Sequence, residues 1–112
     1  MRLYIAGPMT GLPDLNYPAF HARAAELRAQ GHEVQNPAEN PAPACGTWRG
    51  YMRMAIAQLV TCDGIDLLPG WKHSRGANIE YRLARGLDLH VQLAPGAAAD
   101  PLYDDMLGEV PA

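Results

Sequence analysis

Residues 68–80, LPGWKHSRGANIE, hold the densest set of groups that could do chemistry together. Ser74 precedes a helically patterned run, and a serine there caps a helix by accepting a free backbone N–H. The amides and dipole of a helix start attract anions. Gly76 lets a ligand approach the backbone closely, and Arg75 adds a charge-assisted contact. Glu80 follows Ser74 by six residues, about 1.5 to 2 helical turns. A carboxylate so placed can meet a sugar carbon while the sugar's phosphate rests on the helix start. The same spacing also fits a surface glutamate that gains only a few tenths of a kcal/mol from the dipole.

Two other stretches join it. Residues 4–11, YIAGPMTG, read as a strand entering a glycine loop. Backbone at Gly7, Pro8 and Met9 could reach a ligand there, and Tyr4 is either core or a hydroxyl offered to the site. Neither Gly-Lys-Ser/Thr nor G-x-G-x-x-G is present, so a plain turn fits as well. Residues 61–66, TCDGID, place Asp63 before a strand and Asp66 inside it, where an acid is unusual. Trp71 is expected on an exposed loop, stacking on a base or covering the rim of the core. His73 is a candidate proton donor; His21, His32 and His90 read as surface residues.

The elements that must position these groups follow from hydropathy and breakers. Strands are expected at 3–6, 32–35, 64–68 and 87–93, with helices at 17–30, from Thr47 through 59, and at 75–85. The Pro-rich stretch 37–46 reads as a loop. Strands alternating with helices predict an α/β fold, a flavodoxin- or Rossmann-like open parallel sheet of four to five strands with helices on both faces. Ligands of such sheets bind at the carboxyl ends of the strands. There the loop after Ala6, the segment after Gln35 and the 69–74 loop share one crevice. One domain spans 1–93. A tail, 94–112, holds at most one short helix around 101–107.

Composition removes other classes. The chain has 112 residues, 48% apolar, with net charge −3. Its nine Lys and Arg form no basic run, which argues against duplex nucleic acid. No apolar stretch approaches the ~20 residues of a membrane span, and the N-terminus is too short in apolar residues for a signal peptide. A cytoplasmic protein is expected, with Cys45 and Cys62 as reduced thiols. Neither metal nor cofactor is called for. A domain this small buries a modest fraction of its surface, so a homodimer or higher homo-oligomer is expected.

Taken together, YIAGPMTG, Asp63 before the third strand and LPGW-x-x-S-x-G-x-x-x-E resemble the nucleoside 2-deoxyribosyltransferase superfamily. The nearest likeness is to its small phage- and bacteria-associated branch, catalogued as a domain of unknown function. The resemblance covers roughly residues 3–92. It implies Glu80 as a nucleophile toward the anomeric carbon of a 2-deoxyribosyl group, displacing the base, with the glycosyl-enzyme passing to water or another base. It implies that Tyr4 and Asp63 set the carboxylate and the base. Base-exchanging members resemble a form with an acid at the position of Ser74. A serine there resembles the nucleoside 5-monophosphate N-hydrolase branch, because it accepts a phosphate that a carboxylate would repel. Here Ile79-Glu80-Tyr81-Arg82 departs from the G-x-x-x-E-L-G pattern of many members. His73 and Asp63 are both candidates for the leaving-group acid.

Two rival readings stand beside the enzyme. One is a module that binds a nucleotide or nucleotide-sugar without turnover; the other is an interaction protein with an empty crevice. The surroundings of Glu80 discriminate. A buried carboxylate facing Tyr4 or Asp63 favours catalysis, whereas an outward one in solvent sinks it.

Overall fold

The structure is a computed structural model and describes residues 1–100. Strands β1 (Arg2–Ala6), β2 (Glu33–Gln35), β3 (Gly64–Leu67) and β4 (His90–Leu93) form one sheet in the order β2-β1-β3-β4. Every pairing is parallel. Helices α1 (Tyr17–Ala29), α2 (Trp48–Leu59) and α3 (Arg75–Gly86) connect them. The fold is thus the expected open α/β sheet, with four strands among the described residues. None of its helices is long and apolar enough to cross a membrane.

The central strands are short apolar runs because both faces are covered. Side chains alternate between the faces with period two. Leu3 and Ile5 pack with Phe20, Ala24 and Leu27 of α1. Tyr4 and Ala6 face the other way, into a cluster with Ala55 and Leu59 of α2 and Ala77, Tyr81 and Ala84 of α3. This alternation sends Tyr4 to the side of the sheet that carries the glutamate helix.

Asp66 explains itself as part of the α1 face. It is fully buried in β3. The guanidinium of Arg23 donates to both its oxygens, at 3.0 and 2.9 Å, and Gln92 Nε2 donates to Oδ1 at 2.7 Å. The acid therefore belongs to a structural network. Arg23→Ala would leave a buried charge without its cation, so stability should fall by about 3–5 kcal/mol. Urea unfolding at neutral pH measures this; a loss below about 1 kcal/mol would show that Gln92 alone suffices.

The last strand starts later than expected. Leu87 N–H still donates to Leu83 carbonyl at 2.9 Å, and Asp88 takes a left-handed φ of 58° before the chain enters β4. Residues 87–89 thus belong to the close of the helix, where hydropathy alone reads like strand. The short helix expected at 101–107 lies outside the described residues.

Candidate functional site

The third helix begins where its residues require. Ser74 Oγ accepts the N–H of Ala77 at 3.2 Å, as a helix cap does. Upstream, Gly70 at φ 85° reverses the chain after β3, a conformation that suits glycine. The short turn Trp71–His73 that follows is pinned by Asn78, whose Nδ2 donates to the carbonyls of Lys72 at 2.9 Å and Ser74 at 2.8 Å. No motif in the sequence marks Asn78. The available signal was a polar residue in the helix's first turn, four positions after the cap.

On the facing side, β1 delivers the loop at Gly7. Leu68 N–H donates to Ala6 carbonyl at 2.8 Å, and a Cβ on Gly7 would lie 2.8 Å from Leu68 Cβ. Only glycine allows these two strand ends to close this tightly. The loop and the helix start are thereby brought to one side of the sheet's carboxyl end.

Between them lies a crevice of about 780 Å3. Gly7, Pro8, Met9 and Thr10 form one wall, and His73, Ser74, Arg75 and Gly76 another. Tyr4 and Glu80 also line it. Both are buried, Tyr4 at 1% and Glu80 at 5% exposure, so they sit deep in it. The Tyr4 hydroxyl donates to Glu80 Oε2. Burial pushes the Glu80 carboxyl up to about 8, against the opposing pull of the tyrosine hydrogen bond. Burial, and then the charge of Glu80, hold the Tyr4 phenol well above its usual range, so it stays a donor.

The mouth is aromatic, which no single stretch of the sequence indicates. Tyr17, Trp48 and Tyr51 line the crevice, and the last two are 41% exposed. They come from the starts of α1 and α2, which only the fold brings to this edge. The Pro-rich stretch contributes too. Pro37 and Asn40 reach the crevice, and Asn40 exchanges hydrogen bonds with Gln58 of α2 at 2.6 and 2.7 Å.

Two expected site residues lie elsewhere. Asp63 is exposed at the amino end of β3, where its carboxylate accepts the Arg2 N–H at 2.8 Å. That is the opposite end of the sheet from the crevice, so it cannot set Glu80 or protonate a leaving base in this chain. Trp71 is 1% exposed rather than displayed on a loop. Its indole N–H donates to Ala98 carbonyl at 2.8 Å and its ring packs on Tyr81, centroids 4.6 Å apart. The turn after Gly70 folds it inward over the sheet, and a base cannot stack on it.

Among the described residues no group of three or more His, Cys, Asp or Glu converges as metal ligands would. In comparisons with known proteins, a family model described as "Domain of unknown function (DUF4406)" matches residues 1–93. The chain belongs to that family. The DUF4406 match includes every residue that lines the crevice. No curated protein matches the chain.

Proposed function

We propose that the chain cleaves the N-glycosidic bond of a 2-deoxynucleoside 5-monophosphate or a related nucleotide, with Glu80 as nucleophile. The observation that carries this reading is one buried carboxyl, held by the Tyr4 hydroxyl, deep in an open crevice. Isolated surface glutamates gain nothing from such a setting. Burying a carboxyl costs stability, and that cost is common where a site needs a tuned group. The resemblance to the nucleoside 2-deoxyribosyltransferase superfamily, carried by Tyr4 and by the Ser74–Gly76–Glu80 spacing, supports the same chemistry. Free Cys45 and Cys62 fit the cytoplasm as its compartment.

In this mechanism the 5-phosphate rests on the helix start at Ser74 and Gly76, beside Arg75. An oxygen of ionised Glu80 attacks C1 of the sugar. The C–N bond breaks with its electrons going to the base, which takes a proton from His73 or from water. Water then attacks C1 of the glycosyl ester, giving its proton back to His73 or to solvent, and frees the Glu80 carboxylate and deoxyribose 5-phosphate. Tyr17, Trp48 and Tyr51 offer π-faces to the base. At pH 7 a group of pKa about 8 is about one-tenth ionised. That fraction is the nucleophile, and positive charge developing on the sugar favours it.

Incubation with the four 2-deoxynucleoside monophosphates and the matching nucleosides, followed by chromatography of free base, tests the reading. Release from a monophosphate is expected, with the nucleoside slower. Ser74→Asp retains a good helix cap while setting a negative charge beside the phosphate. It should lower release from the monophosphate by at least about tenfold and leave the nucleoside rate unchanged. Release only with an added acceptor base would make the chain a transferase. Binding without release would favour a nucleotide-binding module, for which a protonated Glu80 serves as a hydrogen-bond donor.

A further inference from the structure

We infer that the crevice continues into a second anion subsite, built by Arg49, Arg53 and Arg75, and that the substrate class extends to nucleotides carrying a 5-diphosphate. This rests on the nucleotide reading of the crevice given above.

A second cavity of about 630 Å3 opens beside the first, and Trp48 and Arg75 are walls of both. Arg49 and Arg53 line it as well, and no acidic side chain does. The chain carries a net charge of −3, so a cavity with three cations and no carboxylate runs against its overall balance. Arg2, Arg23 and Arg28 stand in salt bridges, whereas among the described residues no salt bridge engages Arg49, Arg53 or Arg75. Arg49 and Arg53 stand four residues apart on α2, a spacing at which like charges repel. An anion between them would relieve that repulsion.

The junction has the geometry of a shared contact. The guanidinium of Arg75 lies 4.3 Å from the Trp48 ring centroid, which holds it between the two cavities. Thr47 Oγ1 accepts Gly50 N–H at 3.1 Å and caps α2, so the start of that helix also opens on the second cavity. A first phosphate on the Ser74 helix start would be touched by Arg75. A second, joined through a bridging oxygen, would pass Arg75 toward Arg49 and Arg53. Arginine forks suit phosphate oxygens, and two phosphates present more of them than one.

Calorimetric titration of the full chain, with Glu80→Gln as the parent background so that nucleotide binds without turnover, in about 0.15 M salt, with the four 2-deoxynucleoside 5-monophosphates and their 5-diphosphates tests the inference. At least one diphosphate should bind about tenfold or more tightly than its monophosphate. The Arg49→Ala/Arg53→Ala double variant should lose that preference and bind the monophosphate within about twofold of the parent, which also shows that it is folded. Equal affinities in the parent, or a preference that survives in the double variant, would overturn the second subsite and leave the monophosphate reading standing. Inorganic phosphate that tightens monophosphate binding as much as the linked second phosphate does would make this a separate anion site and overturn the diphosphate substrate. Binding of neither series would overturn both readings.

Discussion

Glu80→Gln should lose base release by at least about 10³-fold and yet be the more stable protein at alkaline pH. The loss follows from the proposed nucleophile, since an amide cannot form the glycosyl ester and removal of a covalent catalyst costs rate on that scale. The gain in stability follows from burial. The folded carboxyl sits at about 8 against an ordinary 4.5. Its affinity for a proton is therefore higher folded than unfolded. The favourable state of Glu80 is fully present below pH 4.5 and is lost as pH rises toward 8, where the buried group must ionise. Glutamine has no proton to lose and still accepts from the Tyr4 hydroxyl. The variant's advantage should grow by up to about 1.4 kcal/mol per pH unit, reaching roughly 3 kcal/mol between pH 4.5 and 7. Urea unfolding of both proteins at pH 5, 7 and 9 reads it. A gap that stays flat with pH would mean that Glu80 titrates as an exposed acid. Base release retained by the variant would remove Glu80 from the chemistry.

Tyr4→Phe should act through the same carboxyl without abolishing the reaction. In the parent, kcat/KM is expected to rise with pH to a plateau above about 8, because Glu80 must be ionised to attack. The Tyr4 hydroxyl is the hydrogen bond that favours the ionised form. Without it the carboxyl should move further up, so the rising limb shifts to higher pH and kcat/KM at pH 7 falls about 10- to 100-fold. Base release measured from pH 5 to 10 gives the profile. A uniform fall across pH with an unmoved midpoint would assign Tyr4 a packing role only. Activity that declines, rather than rises, through pH 8 would make Glu80 a proton donor instead of a nucleophile.

Much of this was legible in the sequence because it depends on short-range physics. Helix caps at Thr47 and Ser74, glycine turns, and short apolar strands between helices state their own local conformation. Parallel-sheet topology then places strand ends and loops together. The spacing of Ser74, Gly76 and Glu80 is likewise a property of one helix. It therefore located the carboxyl and the helix start without reference to the rest of the chain.

Only the tertiary structure decided what lies across a gap. Asp63 precedes β3 and so stands at its amino end, away from the carboxyl-end crevice; the family resemblance, not the topology, grouped it with Tyr4 and Glu80. Trp71 reads as displayed because it follows Pro-Gly. The direction of that turn, fixed by Gly70 and Asn78, buries its ring on Tyr81 instead. Tyr17, Trp48 and Tyr51 are far apart in the chain and join the crevice only when α1 and α2 pack on opposite faces of one sheet. The raised carboxyl belongs here too. Desolvation comes from everything packed around Glu80, and no window of sequence contains that environment.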